Sequence, residues 1–225
     1  MTAPGAHASL GSTRPPAAHV VLAACGAFVA LLGLLHVIKP EIDPGSRFIS
    51  EYALGAHGWL MNAAFFALAL AYTALASALR AELRTRSGRV GFALLLVSAL
   101  GLLLAGLFTT DPITTSHQDA SVSGMLHNLG GALGMAMPFA AGAIAWALRQ
   151  SPAWRAHRRA IGLSALGAIA GFVLSIVWIG ASLAQSDGAF GPDVLVGWPN
   201  RIEIALYCAW LWVVARAAAR VTLQG

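Results

Sequence analysis

The chain has 225 residues, of which 58% are hydrophobic and only 10% charged, and its mean hydropathy is +0.72. A soluble domain carries about 25% charged residues, so this chain cannot cover itself with a water-compatible surface. Soluble dehydrogenases, nucleic-acid binders and disulfide-rich secreted modules are excluded, and the net charge of +5 must find its reason in membrane topology.

Residues 1–16, rich in Ala, Pro, Gly, Ser and Thr, read as a disordered cytoplasmic tail, and residues 17–220 as one transmembrane domain. A spanning helix needs roughly 20 mostly apolar residues. Six segments meet this, at about 18–38, 57–79, 88–108, 123–148, 159–183 and 198–218. No alternating pattern of a membrane β-barrel is present, so the expected fold is all-α, with six transmembrane helices in three hairpins. Leu22-Ala23-Ala24-Cys25 has the form of a lipoprotein cleavage box, but apolar sequence continues to Leu35, whereas a signal peptide places its apolar core before the cleavage site. Cys25 and Cys208 are the only cysteines. Both fall inside expected helices, where they read as packing residues rather than a disulfide or metal pair.

Basic residues set the orientation. Arg14, Arg80, Arg84, Arg86, Arg89, Arg149, Arg155, Arg158, Arg159, Arg216 and Arg220 share one side, against Lys39, Arg47 and Arg201 on the other. Cytoplasmic loops carry the Lys/Arg excess, so both termini are expected in the cytoplasm. The richness in Ala, Gly and Arg suits a bacterial protein of high coding GC content, hence a bacterial plasma membrane.

The acids are sorted the other way. Of nine carboxylates only Glu82 is cytoplasmic; Glu41, Asp43, Glu51, Asp111, Asp119, Asp187, Asp193 and Glu203 lie on or near the outer face, with His36, His57, His117 and His127. Acidic residues contribute little to the topology rule, so a polar site at the outer interface accounts for them better. In the first outer loop, Asp43 before Pro44 fits an N-cap with proline at the first helical position. A short helix over about 44–53 would then pair Arg47 with Glu51 at i,i+4, and Ser50, Glu51 and Tyr52 stand where the chain re-enters the membrane. Asp111-Pro112 in the second loop permits a turn or a cap. His127 shares a helix face with Ser123, Gly130, Gly131 and Gly134, a small face of the kind that mediates close helix contact. It should therefore point into the bundle, as should His36, and an ionisable group inside a span is a functional hypothesis by default. Arg201 and Glu203 face different directions, and Arg201 is expected to reach Glu51 or Asp111. Gly130-x-x-x-Gly134 and Gly167-x-x-x-Gly171 read as helix-packing faces.

HExxH, GxSxG, P-loop and CxxC motifs are absent. Zinc is open through His36, His127 and Asp111, since carboxylate and imidazole suit it; His117-x-Asp119 lacks a diagnostic spacing. The pairs His36/His127 and His19/His157 caricature a two-haem carrier, but His19 and His157 stand beside arginines at helix starts, where interfacial placement explains them.

Leu35-His36, Asp43-Pro44, Arg47, Ile49-Ser50-Glu51-Tyr52-Ala53-Leu54-Gly55 and Gly58-Trp59-Leu60 resemble the first loop of the bacterial and archaeal membrane proteins of the "domain of unknown function 998" family. Gly106-Leu107-Phe108, Asp111-Pro112, Gly124 with His127, and Asn200-Arg201 are similar to later parts of the pattern, so the likeness covers about residues 20–218. It implies about six helices and supplies no chemistry. Phe108-Thr109-Thr110-Asp111-Pro112 departs from the family's frequent Phe-Pro-x-Asp turn.

The expected site is a polar pocket opening to the outer leaflet. His36, Ser50, Glu51, Asp111, His127 and Arg201 are its catalytic candidates, and Asp43, Arg47, Tyr52 and Glu203 its substrate-binding candidates. Three classes stand open: hydrolysis or group transfer on a lipid or envelope substrate, with histidine or glutamate as base and Arg201 steadying negative charge; non-catalytic lipid or solute binding, or small-scale transport; and a structural accessory role. Membrane lipid is the expected partner. Convergence of these groups favours chemistry, and dispersal along the rim argues against it.

Overall fold

A computed structural model of the protein describes residues 14–116, 118–191 and 193–222. The N-terminal tail to residue 13, with His7, and His117 lie outside the described residues. Among the described residues seven α-helices make six candidate spans: α1 (Arg14–Ile38), α2 (Trp59–Leu79), α3 (Arg86–Leu107), α4 (Val122–Gly134) with α5 (Met137–Arg149), α6 (Arg158–Ala184) and α7 (Gly197–Thr222). No strand occurs among the described residues.

Local chemistry sets the helix ends. Pro15 and Pro16 sit in the first turn of α1, where a missing N–H removes nothing. The helix stops at Ile38, since Pro40 disfavours helical geometry at Lys39. Thr85 caps α3 by accepting from Gly88 N–H at 3.1 Å, and Ser121 caps α4 through Gly124 N–H at 2.9 Å. The fourth span departs from the continuous helix expected over 123–148. It breaks at Met135–Ala136, where Pro138 cannot donate to the Gly134 carbonyl, and Ala136 N–H turns to Leu133 O at 3.1 Å instead.

Each span packs against its chain neighbours, and α7 returns to α1, so the helices form a closed ring. The connections 39–58, 108–121 and 185–196 meet at one end, called here the acidic end; 80–85 and 150–157 meet at the other, the arginine end, where Trp154 Nε1–H donates to Glu82. The core runs from Phe28 and Leu35 of α1 through Leu68 and Leu75 of α2 to Trp210 and Leu211 of α7. Van der Waals fit holds membrane helices together, since lipid tails are as apolar as leucine, and glycines supply it. A Cβ at Gly130 would stand 2.6 Å from Gly101 O, and one at Gly171 would stand 2.7 Å from the Leu206 side chain. Val29, Leu70, Val90, Leu103, Leu166 and Val177 face outward, an apolar belt that belongs in lipid. The ring is uneven in one place: α4 leans on α3 and makes no comparable contact with α6.

Candidate functional site

The first acidic-end loop begins as expected and then shortens. Asp43 accepts from Ser46 N–H at 2.9 Å, Ser46 Oγ–H at 2.6 Å and Gly45 N–H at 3.3 Å. It therefore caps one turn, not a helix over 44–53. The helical part is a 3₁₀ turn, Ile49–Ala53. The Ser46 hydroxyl, then the Ser46 and Gly45 amides, hold the Asp43 carboxyl below the usual carboxylate range.

Glu51, 1% exposed, is fully occupied. Arg47 grips both its oxygens, at 2.7 Å from Nη2 and 2.9 Å from Nε, while Phe48 N–H (3.2 Å) and Ile113 N–H (2.8 Å) donate to it. This bidentate pair ties the first acidic-end loop to the second. Asp111 does the same for α4: Ser121 N–H and Oγ–H each donate to it at 2.8 Å. The approach requires Gly124, where a Cβ would lie 2.1 Å from Asp111 Oδ2.

Arg201 is not paired with Glu51 or Asp111 as the sequence suggested. Among the described residues no carboxylate lies within the 4.0 Å of an ion pair, because Arg47, four residues from Glu51 in its own turn, already fills that carboxylate. Arg201 Nε–H donates to His36 Nε2 at 2.9 Å, Nη1 to the carbonyls of Arg47 (2.7 Å) and Gly197 (3.1 Å), and Nη2 to Tyr52 Oη at 3.4 Å. His36 Nδ1 lies 2.7 Å from Leu32 O, and a carbonyl only accepts, so the proton is on Nδ1 and Nε2 receives Arg201. The buried Tyr52 ring lies 4.9 Å from His36 and 5.7 Å from the guanidinium. These groups close the seam between α1 and α7.

His127 and Glu203 lie elsewhere, around a cavity of about 230 Å³ inside the acidic half of the ring. Phe65, Leu68, Leu102, Phe172 and Ile176 make its apolar walls. Ser50, His127, Ser175, Asn200, Glu203 and Tyr207 bring hydroxyl, imidazole, amide and carboxyl groups to its lining. Tyr207 Oη–H donates to Glu203 at 2.6 Å. Gly131 and Gly134 leave the cavity room, since nothing lies within 4 Å of a Cβ at either. A wider vestibule of about 700 Å³ adjoins it, sharing Phe48, Ser50, His127, Gly131 and Met135. The cavity lies where α4 and α6 fail to meet, and it is lined by both.

His127 Nδ1 donates to Ala105 O (3.1 Å) and Phe108 O (2.9 Å), satisfying carbonyls left open at the end of α3. His36, His127 and Asp111, the expected zinc set, thus engage Arg201, α3 and Ser121 separately. Among the described residues no three His, Cys, Asp or Glu side chains gather as a metal would require.

Three contributors escaped the sequence reading. Lys39, 2% exposed, donates to the carbonyls of Tyr52 (3.2 Å) and Leu54 and lies 3.8 Å from Glu41. Asn200 accepts from Ile49 N–H at 3.2 Å. Tyr207 holds Glu203. The 200, 203, 204, 207 spacing, one face of a helix, is the signal that finds the last two.

No curated protein and no solved structure matches the chain. The family model described as protein of unknown function, DUF998, matches residues 22–217, and the chain, a membrane protein with six candidate spans, belongs to that family.

Proposed function

We infer that the protein binds an amphipathic, lipid-like ligand drawn from the leaflet at its acidic end. One observation carries this: a cavity with apolar walls lies inside the acidic half, adjoining a larger and more polar vestibule and placed where α4 and α6 make no comparable contact. Ligand sites are concave and mostly apolar, with a few convergent polar groups. A catalytic reading asks for free acids and bases that converge, whereas Glu51 and Asp111 commit their oxygens to the protein's own donors. Ser50, His127 and Glu203 are the candidates that face the ligand space; His36, Tyr52 and Arg201 hold the α1–α7 seam instead. Beyond Tyr72 and Tyr207 the bundle is filled by Leu75, Trp210 and Leu211, which supports binding over passage to the arginine end.

The arginine excess supports a cytoplasmic position for the arginine end and both termini, so the vestibule opens outward from a bacterial plasma membrane. A membrane-impermeant maleimide should label Gln118→Cys in intact cells and Gln150→Cys only after lysis. The binding reading is tested by native mass spectrometry of the detergent-purified chain with added membrane lipid extract. Wild type should retain lipid adducts, and Gly134→Leu, which fills the cavity, should lose them while melting normally. Identical adducts in both would remove the cavity as the site.

A further inference from the structure

At the junction of cavity and vestibule, His127 is 6% exposed and lines both. Two carbonyls of the α3 end fix its Nδ1–H. The ring therefore cannot turn, and in the neutral imidazole Nε2 is left as an acceptor. Nε2 has no hydrogen-bond partner among the described residues. Nε2 is not sealed against the protein, since the buried unpartnered side-chain atoms among the described residues are Asn62 Oδ1 and Trp210 Nε1, so it is open to a donor in the space that His127 lines.

Charge narrows the choice further. Among the described residues no Lys or Arg lines either volume, whereas Glu203 lines the cavity and Glu51 and Asp111 line the vestibule. The nearby cations are turned into the protein: Arg47 onto Glu51, Arg201 onto His36, Lys39 onto backbone carbonyls. A phosphate or carboxylate head would meet no lining cation, while Glu203 and Asp111 line the space without an ion-pair partner among the described residues, so the site disfavours anionic heads. Size adds that a cavity of about 230 Å³, against the roughly 150 Å³ void that takes benzene, holds one hydrocarbon segment.

We propose, building on the binding reading above, that the ligand is an uncharged or cationic amphiphile whose hydroxyl or amino head donates a hydrogen bond to His127 Nε2. Its chain occupies the cavity between α4 and α6.

The test compares three probes of one chain length, 1-dodecanol, its methyl ether and dodecyl phosphate, binding to the full chain in a non-ionic detergent. The alcohol should bind about tenfold more tightly than either competitor, the factor expected for one buried hydrogen bond. His127→Asn keeps an amide donor where Nδ1 stands and removes the Nε2 acceptor. It should retain the melting temperature and abolish the alcohol's advantage over the ether. Equal binding of all three probes by wild type overturns the head-group assignment and leaves the cavity reading in place; this comparison needs no variant to fold. An unchanged preference in a folded His127→Asn overturns the role of His127. No binding of any probe overturns the cavity reading itself.

Discussion

Two seams of the same ring face the acidic end, and they are built in opposite ways. Between α1 and α7, Arg201 directs four hydrogen bonds to His36, Tyr52 and two backbone carbonyls, and the seam is shut. Between α4 and α6 there is a glycine-lined face, a broken helix and an imidazole with only one nitrogen engaged. Charge density is therefore a poor guide to the site in this molecule. The strongest ion pair is a structural tie, and the cavity lies beside an imidazole that keeps one nitrogen free. A broken helix fits that account, because irregular backbone at membrane depth is tolerated where it lines a cavity, and Gly134 and Met135 line this one.

The largest effect is expected at Glu51. Replacing it with Ala leaves the Arg47 guanidinium and the amides of Phe48 and Ile113 without their acceptor, and loss of one partner of a buried pair costs about 3–5 kcal/mol. Unfolding in mixed micelles should show a loss of this order; a loss under about 1 kcal/mol, the worth of an exposed pair, would mean that Glu51 does not tie the two loops. Arg201→Lys should cost about 2 kcal/mol, since an ammonium cannot reproduce the fork that spans His36, Tyr52 and two carbonyls. Stability equal to wild type would open the α1–α7 seam to question.

Two glycines of one motif sharpen the contrast. Gly130→Ala drives a methyl to within 2.6 Å of Gly101 O and should destabilise by about 1–3 kcal/mol. Gly134→Ala meets open space, so it should be neutral or stabilising by up to about 1 kcal/mol through helix propensity. Equal effects would mean that the two positions face the same surroundings. The smallest expected effect is at Asp43. Its carboxyl is depressed in the fold by the Ser46 hydroxyl and the Ser46 and Gly45 amides. Its stabilisation is thus present above the unfolded-state value of about 3.8 and lost as pH falls through the lower folded value. Asp43→Asn should flatten that acid limb of the stability profile, and a limb as steep as wild type would assign it to other carboxylates.

Six spans and the loop ends were legible in the chain because 20-residue apolar runs and Asp-Pro turns are local signals. The Arg47–Glu51 pair was legible for the same reason, being four residues apart in one turn. Partners of Arg201 were not. Its neighbours His36 and Tyr52 stand 165 and 149 residues away, and only the return of α7 to α1 brings them together. Glu51, one of its two expected partners, was already filled by Arg47 of its own loop. The break at Met135 was written in Pro138 but hidden by unbroken hydropathy, which does not register a missing N–H.

Composition and periodicity by themselves determined that this is an all-helical membrane protein and which residues are polar at one end of it. Burying a helix face in lipid depends on local sequence alone. Which glycine packs and which lines a cavity, and which histidine is sealed and which keeps a free nitrogen, was decided by tertiary structure. Those outcomes depend on the distance to atoms far away in the chain, such as the Gly101 carbonyl that stands against Gly130 and the open space beside Gly134.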